Sequence, residues 1–153
     1  MKKIFVGILA VGLLGFAFTT ASPINEVKVE KSDATVGIKF FQGTWTEALA
    51  KAKKENKLIF LDAYAAWCGP CKAMAKNTFT KEDVGAFFNK NFINVKMDME
   101  KSADGPRLSK KFGLRAYPSL YFINGSEEVK HNGLGYMKPI QLLDLGKAAL
   151  AKK

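Results

Sequence analysis

Apolar positions recur along this chain in two periods, and together they predict one α/β domain. Thr44-Trp45-Thr46-Glu47 has the form of a capping box, and Trp45, Ala48, Leu49 and Ala52 continue at helical spacing. Leu58-Ile59-Phe60-Leu61 is a continuous apolar run, which predicts a strand buried on both faces. Ala73, Met74 and Ala75 predict a helix that begins within residues 68–71. Thr80-Lys81-Glu82-Asp83 predicts the cap of a further helix with Val84, Phe87 and Phe88 inward. Ile93, Val95 and Met97 alternate with Asn94, Lys96 and Asp98, as in a strand. Leu108 and Phe112 mark a short helix ending at Gly113. Ser119–Ile123 and Val129–His131 flank Asn124-Gly125, a hairpin signal. Pro139–Leu150 predicts a closing amphipathic helix through Ile140, Leu143 and Leu150. Phe79, Phe87, Phe88 and Phe92 are read as core.

The first residues follow a different pattern. Met1-Lys2-Lys3 is a short positive start, Ile4 through Phe18 is apolar or Gly throughout, and Thr19-Thr20-Ala21 offers small residues for cleavage. These parts predict a signal peptide over 1–21 and hence a periplasmic or otherwise exported protein. The alternative is an N-terminal membrane anchor. A spanning helix needs roughly 17–25 apolar residues, and the strongly apolar part here is shorter and is followed by Ser22-Pro23. Residues 22–37 are polar and read as an N-terminal arm, and 38–153 as the folded domain. A chain of 153 residues, 48% hydrophobic, suits one such domain.

Charge narrows the partners. The formal net charge is +10, and cleavage after Ala21 removes two lysines and no acid, leaving +8. The lysines are scattered along the sequence without the basic-aromatic interleaving of a strand-binding groove, so no nucleic-acid partner is expected.

Both cysteines fall in Trp67-Cys68-Gly69-Pro70-Cys71. Two thiols at this spacing can close and reopen a disulfide, and so carry two electrons with no cofactor. A structural bridge over so short a loop gains little. Zinc would need two more ligands, and His131 is the sole imidazole, so no metal is expected. A Cys-x-x-Cys at a strand-to-helix junction in an α/β pattern points to a thioredoxin-like redox site. Cys68, at a helix N-terminus, is the expected nucleophile, because free N–H groups there favour the thiolate. Cys71 would resolve the mixed disulfide. Asp62 ends the apolar run LIFLD: either it is partly buried, which would raise its pKa and suit it to accept a proton from Cys71, or it lies exposed just past the strand end. Lys96 could pair with Asp62 and temper that shift.

These residues resemble the thioredoxin superfamily over roughly 40–150. WCGPC stands at 67–71, Asp62 lies six residues before Cys68, and Tyr117-Pro118 precedes a strand. Phe112-Gly113-Leu114-Arg115, Lys96 in Val-Lys-Met-Asp and Gly135 are also similar. The Phe-rich segment from Asn77 to Asp98 resembles exported domains similar to the C-terminal domain of the bacterial envelope's thiol:disulfide interchange protein. The resemblance implies a thioredoxin fold, with a central mixed sheet flanked by helices. It implies a cis Pro118 beside Cys68, with the Tyr117 backbone free to pair with extended substrate. Trp67 and Tyr117 would supply apolar contact, while Gly69 and Pro70 would shape the turn. Tyr64, Ala66 and Tyr117 depart from the common pattern and bear on substrate choice.

The expected function is thiol:disulfide exchange outside the cytoplasm, in the reducing direction because the Gly-Pro spacer resembles reducing members. Partners would be protein disulfides and an envelope electron donor such as a membrane thiol reductase, with the chain itself a monomer. The alternatives are a disulfide oxidase or isomerase, and a chaperone-like module that holds chains through Trp67 and Tyr117.

Overall fold

The computed structural model describes residues 37–153. The expected signal peptide and nearly all of the expected arm lie outside these residues. Four strands form one mixed sheet: β1 (Leu58–Tyr64), β2 (Phe92–Asp98), β3 (Ser119–Ile123) and β4 (Val129–Leu134), in the order β2-β1-β3-β4. β1 runs parallel to β2 and antiparallel to β3, and β3 pairs antiparallel with β4. The helices are α1 (Trp45–Glu55), α2 (Gly69–Asn77), α3 (Glu82–Asn91), α4 (Gly105–Phe112) and α5 (Pro139–Leu150). The element order is the one the hydrophobic pattern predicts.

The continuous apolar run of β1 reflects its place between two layers. Ile59, Leu61 and Ala63 face α1 and α4, where they meet Trp45, Ala48, Ala52 and Leu108. Leu58 and Phe60 face α2, α3 and α5, where they meet Met74, Val84, Phe88 and Leu142. Phe60, Phe88, Phe92 and Phe122 form the centre of this second layer, with the Phe60 and Phe88 rings 4.7 Å apart. Phe79 and Phe92 are buried with them and Phe87 packs against the cluster, so these rings are core.

The capping box of α1 forms as expected: Glu47 N–H donates to Thr44 Oγ1, and Thr44 N–H donates to the Glu47 carboxylate. Three local expectations change, at the start of α3, at Asn94 and along α5. Thr80 does not cap α3; its hydroxyl donates to the Lys76 carbonyl at the end of α2, and Lys81 holds the cap position through its backbone alone. Asn94 of β2 is buried rather than outward, because residues 37–41 run beside that strand. Phe41 N–H donates to the Asn94 carbonyl at 2.7 Å, and the Asn94 amide donates to Lys39 O and to Asn89. The hairpin signalled by Asn124-Gly125 forms, joining β3 to β4. The loop spans 124–128, Asn124 Oδ1 accepts from the Ser126 and Glu128 N–H groups, and Glu127 takes the left-handed conformation at φ 61°. In α5 the inward face is Leu142, Gly146 and Ala149; Leu143 and Leu150 flank it, and Ile140 is 60% exposed. Among the described residues no helix is long and apolar enough to cross a membrane.

Candidate functional site

β1 ends at Tyr64, and the chain turns through Ala65–Trp67 directly into α2. Cys68 is the N-cap of α2, with extended backbone, and Gly69 and Pro70 form its first positions. Proline suits this place, since its missing N–H would have no helical partner there. The Cys71 N–H, one of the helix's free first-turn donors, points at Cys68 Sγ at 3.1 Å. Cys68 and Cys71 are joined as a disulfide, with their Cα atoms 5.3 Å apart. Both are buried, packed with Ala65 and flanked by Tyr64 and Tyr117. The two residues nevertheless differ in their relation to the surface. A groove of about 560 Å³ runs past the motif, lined by Trp67, Cys68 and Pro70 on one side. Leu114 through Tyr117 form its other side, and Cys71 does not line it.

Two aromatic rings frame this groove. Trp67 is 69% exposed, and its ring meets Tyr117 edge to face with centroids 5.7 Å apart. The indole N–H donates to both carboxylate oxygens of Glu100, at 3.0 and 3.2 Å. Burial, followed by the Glu100 and Asp98 carboxylates, holds the Tyr117 phenol above its ordinary pKa. The Tyr117–Pro118 peptide is cis, and Pro118 O accepts from Gly135 N–H at 2.8 Å. Among the described residues, the Tyr117 N–H and C=O have no backbone partner. Gly69 and Pro70 are exposed at the groove mouth, with nothing near the missing Cβ of Gly69.

Asp62 and Lys96 sit on neighbouring strands, paired in register. Asp62 follows Leu58 and Phe60 in alternation, so it faces the layer to which α2 belongs. It is 1% exposed. The Lys96 ammonium donates to Asp62 Oδ2, while Asp62 Oδ1 is buried with no partner. Burial pushes the Asp62 carboxyl above its ordinary pKa, and Lys96 offsets part of that rise. Lys96 remains partly exposed and lies 4.1 Å from the centroid of the Tyr64 ring, a cation–π contact.

The structure therefore gathers Trp67, Cys68, Pro70 and Tyr117 around one groove, while Pro118 is buried next to Tyr117 and Asp62 pairs with Lys96 on the sheet face that α2 covers. Sequence reasoning missed Glu100 and the wall residues Arg115 and Ala116. Glu100 stands in an ordinary polar run after β2, where no spacing marks it as the Trp67 partner. Arg115 was legible only as part of Phe-Gly-Leu-Arg.

A cysteine pair at a helix N-terminus, with Cys68 among the residues that line a groove, defines a dithiol–disulfide exchange site. Comparison with known proteins agrees. The family model Thioredox_DsbH, described as a protein of unknown function, DUF255, matches residues 34–112. Thioredoxin H2-1 of Oryza sativa subsp. japonica is 30% identical over 116 residues, which cover 76% of this chain and 79% of that one. The thiol:disulfide interchange protein DsbD of Colwellia psychrerythraea is 32% identical over 95 residues, 60% of this chain but only 16% of that protein. The solution structure of a Bacteroides thetaiotaomicron protein described as a candidate disulphide-isomerase shares 40% identity at a TM-score of 0.68. That alignment covers 78% of this chain and 98% of the other. The chain belongs to the thioredoxin superfamily, as a thiol:disulfide oxidoreductase with a Cys-x-x-Cys pair.

Proposed function

We propose that this protein is an exported protein-disulfide reductase in which Cys68 attacks and Cys71 resolves. The carrying observation is the asymmetry of the pair: Cys68 lines the groove and Cys71 does not. In the reduced protein, the Cys68 thiolate attacks one sulfur of a substrate disulfide. A Cys68–substrate disulfide forms and one substrate thiolate leaves. Cys71 then passes its proton to the unpartnered side of the Asp62 carboxylate and attacks Cys68 Sγ. The second substrate thiolate leaves, and the Cys68–Cys71 disulfide remains as the structure holds it. Two electrons have moved to the substrate, and a thiol donor in the envelope must restore them. The free Tyr117 N–H and C=O suit an extended substrate segment laid along the groove. Lys96 keeps Asp62 able to ionise, and no metal or organic cofactor takes part.

Reduction is supported by the Gly69-Pro70 spacer and by the likeness to a thioredoxin and to a segment of DsbD. Export is supported by the sequence of residues 1–21, and a single chain is sufficient for the site. The likeness to a candidate disulphide-isomerase favours isomerase action as the second reading. The Cys68/Cys71 potential separates them. A value near roughly −270 mV, that of thioredoxin, supports reduction, and one near roughly −180 mV supports isomerisation. A Cys71→Ser variant should trap substrates on Cys68, and mass spectrometry then identifies them. Full function in a variant lacking both thiols would instead establish the chaperone-like module.

A further inference from the structure

The lysines that are scattered in sequence gather in space at the end of the sheet opposite the cysteines. Lys53, Lys57, Lys130 and Lys153 line one hollow of about 310 Å³ beside Leu58, the first residue of β1, whereas Cys68 follows the far end of that strand. Lys57 also borders a neighbouring hollow lined by Lys39 and Lys51. Lys54 occupies the last turn of α1, and Lys152 reaches His131 of β4. The carboxylates set among these lysines are Glu55, paired with Lys51 and Lys57, and Glu128, paired with Lys130. A strong positive excess therefore remains at this pole.

We infer that this pole is a docking surface for an anionic lipid bilayer, and that it turns the redox groove toward the aqueous phase. Two observations select a bilayer over other polyanions. The pole is built from lysine alone; Arg107 is engaged by Asp104 and Glu127, and Arg115 lines the redox groove. Lysine ammonium groups are hydrated point charges that suit a diffuse field of headgroups, whereas stereospecific phosphate recognition favours the guanidinium fork. The large exposed apolar residues are Trp67, Val129, Leu134, Tyr136 and Ile140, and only Val129 adjoins the pole. Phe40, Phe41 and Phe92 border the neighbouring hollow, but they pack into the core, so the pole lacks both the exposed stacking rings of a single-strand binder and the exposed aromatic anchor of a protein interface. Adsorption here is electrostatic, reversible and weakened by salt. It is independent of the direction of electron flow.

The test is sedimentation of the full chain with phosphatidylcholine vesicles, with and without phosphatidylglycerol, at low and high salt. Binding should rise with phosphatidylglycerol and fall with salt. The triple variant Lys53→Glu, Lys130→Glu, Lys153→Glu should lose at least about tenfold of the phosphatidylglycerol-dependent affinity. Its disulfide exchange with a soluble substrate should be unchanged, which also reports an intact fold. A milder Lys→Gln triple at the same sites should lose part of the affinity. The equal charge change Lys101→Glu, Lys110→Glu, Lys138→Glu, placed elsewhere, should leave most binding in place. Equal losses in the two Glu triples would reduce the effect to net charge and overturn the inference. Pole-dependent capture of polyglutamate or an oligonucleotide, with phosphatidylglycerol vesicles left unbound, would also overturn it.

Discussion

The Lys96 ammonium occupies one oxygen of the Asp62 carboxylate and leaves the other buried without a partner. Burial therefore favours the neutral acid more in the folded protein than in the unfolded chain, and the Asp62 pKa lies above its ordinary value. A raised acid pKa adds stability that is complete below the unfolded carboxylate range, near pH 4, and is lost as pH rises through the folded value. Asp62→Asn removes the buried charge, while Lys96 keeps its contact with water and the Tyr64 ring. The variant should be more stable than the parent by about 1–3 kcal/mol at pH 8, with the gain vanishing near pH 3. Chemical unfolding across this range checks the sign. Release of substrate from the Cys68 mixed disulfide should slow and lose its pH dependence in the same variant. An unchanged release profile would remove Asp62 from the proton path.

Glu100 accepts from the Trp67 indole, whose ring meets Tyr117 edge to face, and both rings line the groove. Glu100→Ala removes both acceptors and frees an exposed ring. KM for a peptide disulfide should rise severalfold, while the Cys68/Cys71 potential stays put, because no contact to either sulfur changes. Glu100→Gln retains one acceptor and should recover much of the loss. Parallel steady-state kinetics on a small symmetrical disulfide should show little effect, since that substrate need not span the groove.

The site was legible where its chemistry depends on local spacing. Cys68, Cys71 and the first turn of α2 follow from five consecutive residues, and the burial of Asp62 follows from the apolar run before it. Features made by distant segments were not legible. Asn94 read as an outward polar residue because nothing in the alternation of β2 reveals that residues 37–41 cover it. Asn124-Gly125 signalled the hairpin, but nothing local to it reveals that the Glu127 carboxylate of the same loop bonds to Trp45, Arg107 and Lys111. The inward face of α5 was misread by counting large side chains. Gly146 is turned inward because the rings of Phe87 and Phe88 fill the space a Cβ would need.

The covering of β2 gives a further test. Gly85 of α3 lies so close to Gly37 that an added Cβ would stand 2.3 Å from the Gly37 carbonyl oxygen. That oxygen also accepts from the Asn89 amide, so the contact is backbone against backbone and cannot yield by a rotamer change. Gly85→Ala should push residues 37–41 off the sheet at a cost of about 1–3 kcal/mol. Amide exchange at Phe41, whose N–H donates to Asn94 O, should accelerate well beyond that of the central β1 amides. Unchanged protection at Phe41 would mean that the strap is held by other contacts.

Glu127 ties three elements together. Its carboxylate accepts from the Trp45 indole of α1 at 2.6 Å and from Arg107 of α4 at 2.9 and 3.0 Å, and it pairs with Lys111. These donors, Arg107 first, hold its pKa down to about 2. A depressed acid pKa contributes stability that is present above the unfolded value, near pH 4.3, and is lost as pH falls toward about 2. The side chain is 14% exposed and its cationic partners are about half exposed, so solvent screening trims the contribution to about 1–2 kcal/mol. Glu127→Gln keeps the left-handed backbone and the size of the side chain but removes the charge. Its melting temperature should fall below the parent's at pH 7, and the gap should close as pH is lowered from about 4 to about 2. Because α4 leads through Gly113 into the Leu114–Tyr117 wall, KM for a peptide disulfide should rise in the same variant. Melting curves that stay parallel across the acid range would show that the carboxylate charge is not what holds α4 to the hairpin.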